Sequence, residues 1–148
     1  MNQIFFWAQR DQYGAFSNFF YSPIKIGDWT YPTVEHFYQA QKFVHDYDKW
    51  LAVACASTPM RAKHLSHKFG KDRRTDWEDV KFDIMVSALI VKFNSHPKLK
   101  ELLLGTGDAE IYEDSPKDKI WGTGEKGGVG TGQNLLGKAL MQVREMLR

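Results

Sequence analysis

An acid and an amine stand seven residues apart in the segment Tyr31-Pro-Thr-Val-Glu-His-Phe-Tyr-Gln-Ala-Gln-Lys-Phe43. Pro32 and Thr33 are helix-start signals, with Thr33 a good N-cap. On a helix from Val34, the residues Glu35, Tyr38, Gln39 and Lys42 share one stripe at offsets of three, four and seven. Two turns then separate Glu35 from Lys42, about 10 Å along the axis at ~1.5 Å per residue. The space between their side chains is of sugar-ring size. A carboxylate and an amine facing one small ligand can move protons and form a covalent bond at a sugar carbon. The pair alone fits a solvated ion pair equally well.

Other candidate groups also sit among aromatics. Asp118 precedes Trp121 and a run with six glycines between Gly122 and Gly132. Asp76 and Trp77 lie in the first turn of a long predicted helix, where backbone N–H groups favour an anion. Asp76 also reads as an ordinary helix-start charge and Trp77 as core. Gly122-Thr-Gly124-Glu-Lys-Gly127 fits G-x-G-x-x-G, but neither a preceding buried strand nor a helix beginning within it supports a dinucleotide site. The run reads instead as flexible backbone that wraps or covers a ligand, or as a plain surface loop. There is no Walker A pattern and no nucleophile elbow. His64 and His67 lack a clear third ligand, and His36 points about 100° away from Glu35 around the helix. Neither a metal nor a cofactor is expected.

These groups must be positioned by short elements. Residues 4–8 read as a strand. Residues 24–31 alternate around Gly27-Asp28 as a hairpin. The helix from Val34 runs or breaks toward Ala56. Thr58 and Pro59 open another, closed by Gly70. Thr75-Asp-Trp-Glu78 matches a capping box that starts the longest helix, to about Asn94, apolar over much of its circumference. A short helix ends at Gly105, residues 109–113 form one strand, and a last helix spans 135–147 with Asn134 as N-cap and Leu136, Leu140, Val143 and Leu147 inward. There is no βαβ rhythm, so a doubly wound sheet is not expected. The pattern predicts an α+β fold, one compact and mostly helical domain over residues 1–148 with a small sheet.

Composition narrows the partners. The chain has 148 residues, 20 Lys and Arg against 18 Asp and Glu, and a net charge of +2. That balance argues against a broad nucleic-acid or membrane surface. Lys68, Lys71, Arg73 and Arg74 cluster as a solvated face or a phosphate contact. Cys55 is the one cysteine. It excludes an internal disulfide, reads as a small buried hydrophobe, and suggests a reduced setting. With no apolar run of spanning length, a cytoplasmic protein without membrane association is expected. The oligomeric state is not legible.

A family resemblance gathers these residues. Phe16-Ser-Asn-Phe19, the 31–43 segment, Arg74-Thr-Asp-Trp77, Lys92-Phe93, Leu102-Leu-Leu-Gly-Thr-Gly107, Asp118-Lys-Ile-Trp-Gly122, Gly132-Gln-Asn-Leu-Leu-Gly137 and Leu140-Met-Gln-Val-Arg144 resemble, in order, blocks of the YbiA-like or NADAR N-glycosidase family. The match extends from about residue 5 to the C-terminus. It implies a mostly helical α+β domain that cleaves C–N glycosidic bonds. Two substrate classes follow from it: ribosylated aminopyrimidine 5′-phosphates of riboflavin synthesis, giving ribose 5-phosphate, or ADP-ribose on guanine bases of nucleic acid. A catalytically silent sensor of ADP-ribose or a nucleotide is the non-enzyme alternative. Carried over by motif, Glu35, Lys42, Asp118 and Trp77 fall at active-site positions. Ser17, Asn18, Tyr38, Trp121, Gly122 and Asn134 fall in blocks assigned to substrate binding. In the mechanism this suggests, Lys42 is an amine of lowered pKa that forms a Schiff base, and Glu35 shuttles protons. Asp118 orients ribose hydroxyls or assists proton transfer, and Trp77 and Trp121 flank the base. Ile120 stands where an aromatic residue is common, and residues 124–132 are glycine-richer than the simplest pattern. Both features bear on substrate choice.

Overall fold

The computed structural model describes residues 2–125 and 127–148. These residues form six α-helices and two small two-stranded sheets, an α+β architecture in which helices dominate. The chain divides into two compact units, Tyr21–Lys92 and a second made of Met1–Phe20 with Phe93–Arg148.

In the Tyr21–Lys92 unit, β1 (Ile24–Ile26) and β2 (Trp29–Tyr31) form the expected antiparallel hairpin, pairing Ile24 with Tyr31 and Ile26 with Trp29. The turn needs a left-handed residue, and Gly27 supplies it at φ 63°. Helix α1 (Val34–Ala40) starts where predicted, because the Thr33 hydroxyl accepts the His36 N–H at 3.2 Å. All seven of its residues are buried, and it packs against α2 (Tyr47–Ala54) and α3 (Pro59–Lys68). The helix does not continue to Lys42. Residues Gln41–Phe43 tighten into a 3-10 turn, and Asp46 then caps α2 by accepting the Lys49 N–H at 3.3 Å. A good N-cap at Asp46 requires a fresh helix start, so one long helix is excluded. Val44, just beyond this turn, is exposed. Cys55 ends α2 and is exposed, which corrects its reading as a buried hydrophobe.

His36 is the fastener of this unit. Its Nε2 lies 2.9 Å from the Ala56 carbonyl and its Nδ1 2.8 Å from the Thr33 hydroxyl. A carbonyl only accepts, so Nε2 carries a proton. Burial pushes the ring's pKa below the ordinary value, which favours the neutral form with Nδ1 accepting from Thr33.

Helix α4 (Trp77–Ser95) begins with the Val80 N–H donating to the Asp76 carbonyl at 3.2 Å. Asp76, not Thr75, is thus the boundary residue. The Glu78 carboxylate faces Lys81 at 2.7 Å and Arg73 at 3.5 Å, so the capping box is not what fixes this end.

In the other unit, β3 (Gln3–Phe6) pairs in parallel with β4 (Glu110–Glu113). Helices α5 (Pro97–Leu104) and α6 (Leu135–Met146) pack together, with Leu136, Leu140 and Val143 buried. Arg144, also buried, donates to the Thr106 hydroxyl at 2.9 Å and the Ala109 carbonyl at 2.8 Å. Among the described residues no helix is long and apolar enough to cross a membrane.

The neutral His36 makes a testable demand on pH. Its folded pKa is lowered from 6.5, so its contribution is present above that value and is lost as pH falls through the folded pKa. We expect His36→Leu to lower stability at pH 7.5 by about 1–3 kcal/mol. Urea unfolding from pH 7.5 to 5 checks this: the gap between wild type and variant should narrow toward acid.

Candidate active site

Four of the proposed site residues come together in the Tyr21–Lys92 unit. Glu35, 7% exposed, accepts a hydrogen bond from Gln39 Nε2 at 2.8 Å through Oε2. Tyr38 packs edge-on against Trp77, with ring centroids 5.0 Å apart at 61°. The Lys42 Nζ sits 5.7 Å from the Tyr38 ring centre and 5.6 Å from that of Trp77. The Arg74 N–H donates to the Lys42 carbonyl at 2.7 Å, tying the segment before α4 to the 3-10 turn. Trp77 is only 2% exposed, so it serves as a wall for Lys42 and offers little face to a ligand.

Burial decides the protonation of Lys42. It pushes the amine down to about 8, against the opposing pull of Glu35; Arg73 lowers it further, Glu78 raises it, and Lys63 lowers it. This agrees with the expectation that a reactive amine here must be depressed. His67 is lowered by burial first, then by the positive charges of Lys42, Lys63 and His64. The amine thus lies among both charges, with Arg73 and Lys63 opposed by the carboxylates of Glu35 and Glu78. Another lysine, Lys92, is 0% exposed, and burial alone pushes it down to about 7.

The remaining proposed residues lie in the other unit, and here backbone architecture claims much of their bonding. Asp118 Oδ1 accepts the N–H groups of Ile120 and Trp121, each at 2.9 Å, and thereby shapes the turn that presents Trp121. Gly122 is buried, and a Cβ there would meet Glu113 Oε2 at 2.7 Å and Ser115 Cβ at 2.9 Å. Asn134 sits at φ 51° just before α6, and its carbonyl accepts the Lys138 N–H at 3.0 Å. Its side chain makes no cap bond to α6. Instead Nδ2 donates to the Ile111 carbonyl at 2.9 Å and Oδ1 accepts the Glu113 N–H at 3.0 Å, latching β4 to the helix start. Ser17 follows a 3-10 turn at Gly14–Phe16, and its hydroxyl accepts the Phe19 N–H at 3.1 Å; Asn18 beside it is buried.

The glycine run is more ordered than its composition predicts. Thr123 N–H donates to the Glu113 carbonyl at 2.9 Å, Gly132 N–H to the Thr123 carbonyl at 2.8 Å, and Gln133 N–H to the Lys119 carbonyl at 2.7 Å. Gly124, Gly127 and Gly130 hold positive φ, which explains the glycines as turn-makers. Lys126 lies outside the described residues. Among those residues, no group of three or more His, Cys, Asp or Glu side chains could hold a metal ion.

Sequence reasoning put Gln39 on the right stripe and gave it no role. The signal was the i, i+4 spacing from Glu35, at which a carboxylate and an amide bond along a helix.

The NADAR domain model matches residues 5–148. The chain belongs to the NADAR family. Among its NADAR relatives, N-glycosidase YbiA of Escherichia coli (strain K12) is 42% identical over 142 residues, covering 96% of this chain and 86% of that protein. The NMR structure of E. coli YbiA matches with a TM-score of 0.87 at 41% identity, over 99% of this chain and 86% of that one. N-glycosidase Npun_R5314 of Nostoc punctiforme is 43% identical, with 98% and 92% covered. The maize riboflavin biosynthesis protein PYRR, chloroplastic, is 39% identical over 97% of this chain and a quarter, 25%, of its own longer length. The NADAR fold expectation thus holds through the whole described chain.

Two measurements probe this geometry. A lysine-selective acylating reagent should label Lys42 with half-maximal rate near pH 8, as its pKa requires, and leave the inaccessible Lys92 unlabelled; peptide mass spectrometry across pH 6–10 reads both. Gly122→Ala should lower stability by about 1–3 kcal/mol through overpacking against Glu113 and Ser115, seen as a lower melting temperature.

Proposed function

We propose that this NADAR protein hydrolyses the C–N glycosidic bond of ribosylated aminopyrimidine 5′-phosphates and releases ribose 5-phosphate. The chain is an enzyme acting on N-glycosyl bonds, as its family and its relatives named N-glycosidase indicate. The pyrimidine substrate is supported by the maize relative named for riboflavin biosynthesis. The observation that carries the chemistry is Lys42, a half-buried amine lowered to about 8 and electrostatically coupled to Glu35.

The substrate is a glycosylamine, whose ring opens to an imine between C1′ and the base nitrogen. Neutral Lys42 adds its lone pair to C1′. Proton transfer then makes the aminopyrimidine nitrogen the leaving group, and the base departs as the free amine. Lys42 and C1′ remain joined as an imine. Water adds to that carbon, the Lys42–C1′ bond breaks, and the released aldehyde recloses as ribose 5-phosphate. Glu35 relays the protons at each transfer. Tyr38 and Trp77 flank the amine, and its burial favours the neutral form. Lys63 and Arg73 give the neighbourhood the positive character that a phosphorylated sugar needs.

The test offers wild type the aminopyrimidine ribotide and, separately, DNA carrying ADP-ribosylated guanosine. Released base is followed by mass spectrometry, with borohydride present in parallel samples. We expect free pyrimidine from the first substrate and a reduced ribose 5-phosphate adduct on Lys42. Lys42→Ala should give no adduct and turn over roughly 100-fold more slowly or worse. Turnover of the guanosine substrate alone would transfer the reading to ADP-ribosyl hydrolysis. Binding without turnover of either would make the protein a sensor.

A further inference from the structure

Gln39 is 4% exposed, and its two amide ends have different fates. Nε2 donates to Glu35 Oε2 at 2.8 Å. Only the NH2 end can donate to a carboxylate, so the orientation of the amide is set by chemistry. Oε1 is thereby turned the other way. It is buried and finds no hydrogen-bond partner among the described residues. A buried amide oxygen without a donor is disfavoured by roughly 1–3 kcal/mol, so it calls for a partner from outside the described residues, such as a water or a ligand. The atom lies one amide width from the hydrogen bond that aims the proposed proton relay.

We propose that Gln39 has two roles in this site: Nε2 holds the Glu35 carboxylate in position, and Oε1 accepts a hydrogen bond from the 2′-hydroxyl of the ribosyl substrate. The assignment of the hydroxyl rests on the glycosidase reading. A carboxylate that serves C1′ has the hydroxyl of the adjacent carbon as its nearest sugar donor, and Gln39 is the group beside that carboxylate. A bond to this hydroxyl that strengthens as C1′ gains positive character stabilises the transition state more than the bound substrate. Gln39 is then what distinguishes a ribosyl from a 2′-deoxyribosyl glycoside. The hold on Glu35 stands on the structure alone and needs no substrate.

Two experiments test the two roles separately. The first compares turnover of the ribosyl substrate and its 2′-deoxy analogue by wild type and Gln39→Met. Taking the ratio between the two proteins cancels the greater intrinsic lability of the deoxy compound. The preference for the ribosyl substrate should fall roughly 10- to 100-fold in the variant, mostly in kcat. An unchanged preference overturns the hydroxyl contact. Absence of turnover by wild type removes the glycosidase reading and the hydroxyl contact with it. The second follows the Glu35 carboxyl carbon by NMR against pH without any substrate. Loss of the Nε2 donor should move its titration midpoint upward in Gln39→Met. Coincident curves in a folded variant overturn the positioning role. Gln39→Leu provides a second apolar replacement should Gln39→Met not fold.

Discussion

Helix α1 has no solvent face. Its seven residues are all buried, yet they include a carboxylate, an imidazole and an amide. A polar group taken out of water is tolerated only when something inside replaces the water. That requirement shapes the Tyr21–Lys92 unit. His36 commits both ring nitrogens to Thr33 and Ala56, which fixes α1 at its start and joins it to the end of α2. Glu35 and Gln39 answer each other across one turn. The helix that carries the proposed chemistry is thus held by its own polar side chains.

The same constraint explains why Lys42 suits covalent chemistry and Lys92 does not. Burial lowers both amines, to about 8 and about 7. Lys92 is wholly enclosed, whereas Lys42 keeps partial exposure on a 3-10 turn beyond the end of α1. Its nearest aromatic neighbours, Tyr38 and Trp77, are drawn from α1 and α4. The interruption of the helix therefore bears on the proposed chemistry. A continuous α-helix would have placed Lys42 simply two turns above Glu35, while the tighter turn resets its direction and lets Arg74 bond to its carbonyl.

Local signals made most of the fold legible in the sequence. The hairpin at Gly27, the caps at Thr33 and Thr58, and the stop at Gly105 are each decided by a few neighbouring residues. The readings that failed depended on competition between signals. Asp76 bounds α4 although Thr75 and Glu78 have the capping-box spacing; toward Ala56, where running and breaking were both open, the Asp46 cap makes the break. The glycine run looked flexible because composition does not report which carbonyls its N–H groups reach. Among site residues, spacing alone grouped Glu35, Tyr38 and Lys42. Trp77 joined them only through tertiary packing. The structural use of Asn134 depends on β4, far away in sequence, so no window of local pattern could have shown it.

The central claim is that a buried carboxylate on α1 moves protons for cleavage of a glycosidic C–N bond. Glu35→Gln tests it with little structural disturbance, because the new amide keeps the shape and can still accept the Gln39 N–H through its carbonyl oxygen. The measurement is release of free aminopyrimidine from the ribotide under single-turnover conditions. The account predicts a rate roughly 100-fold or more below wild type, with the melting temperature little changed. A rate within about threefold of wild type, far short of a proton-transfer loss, would contradict it.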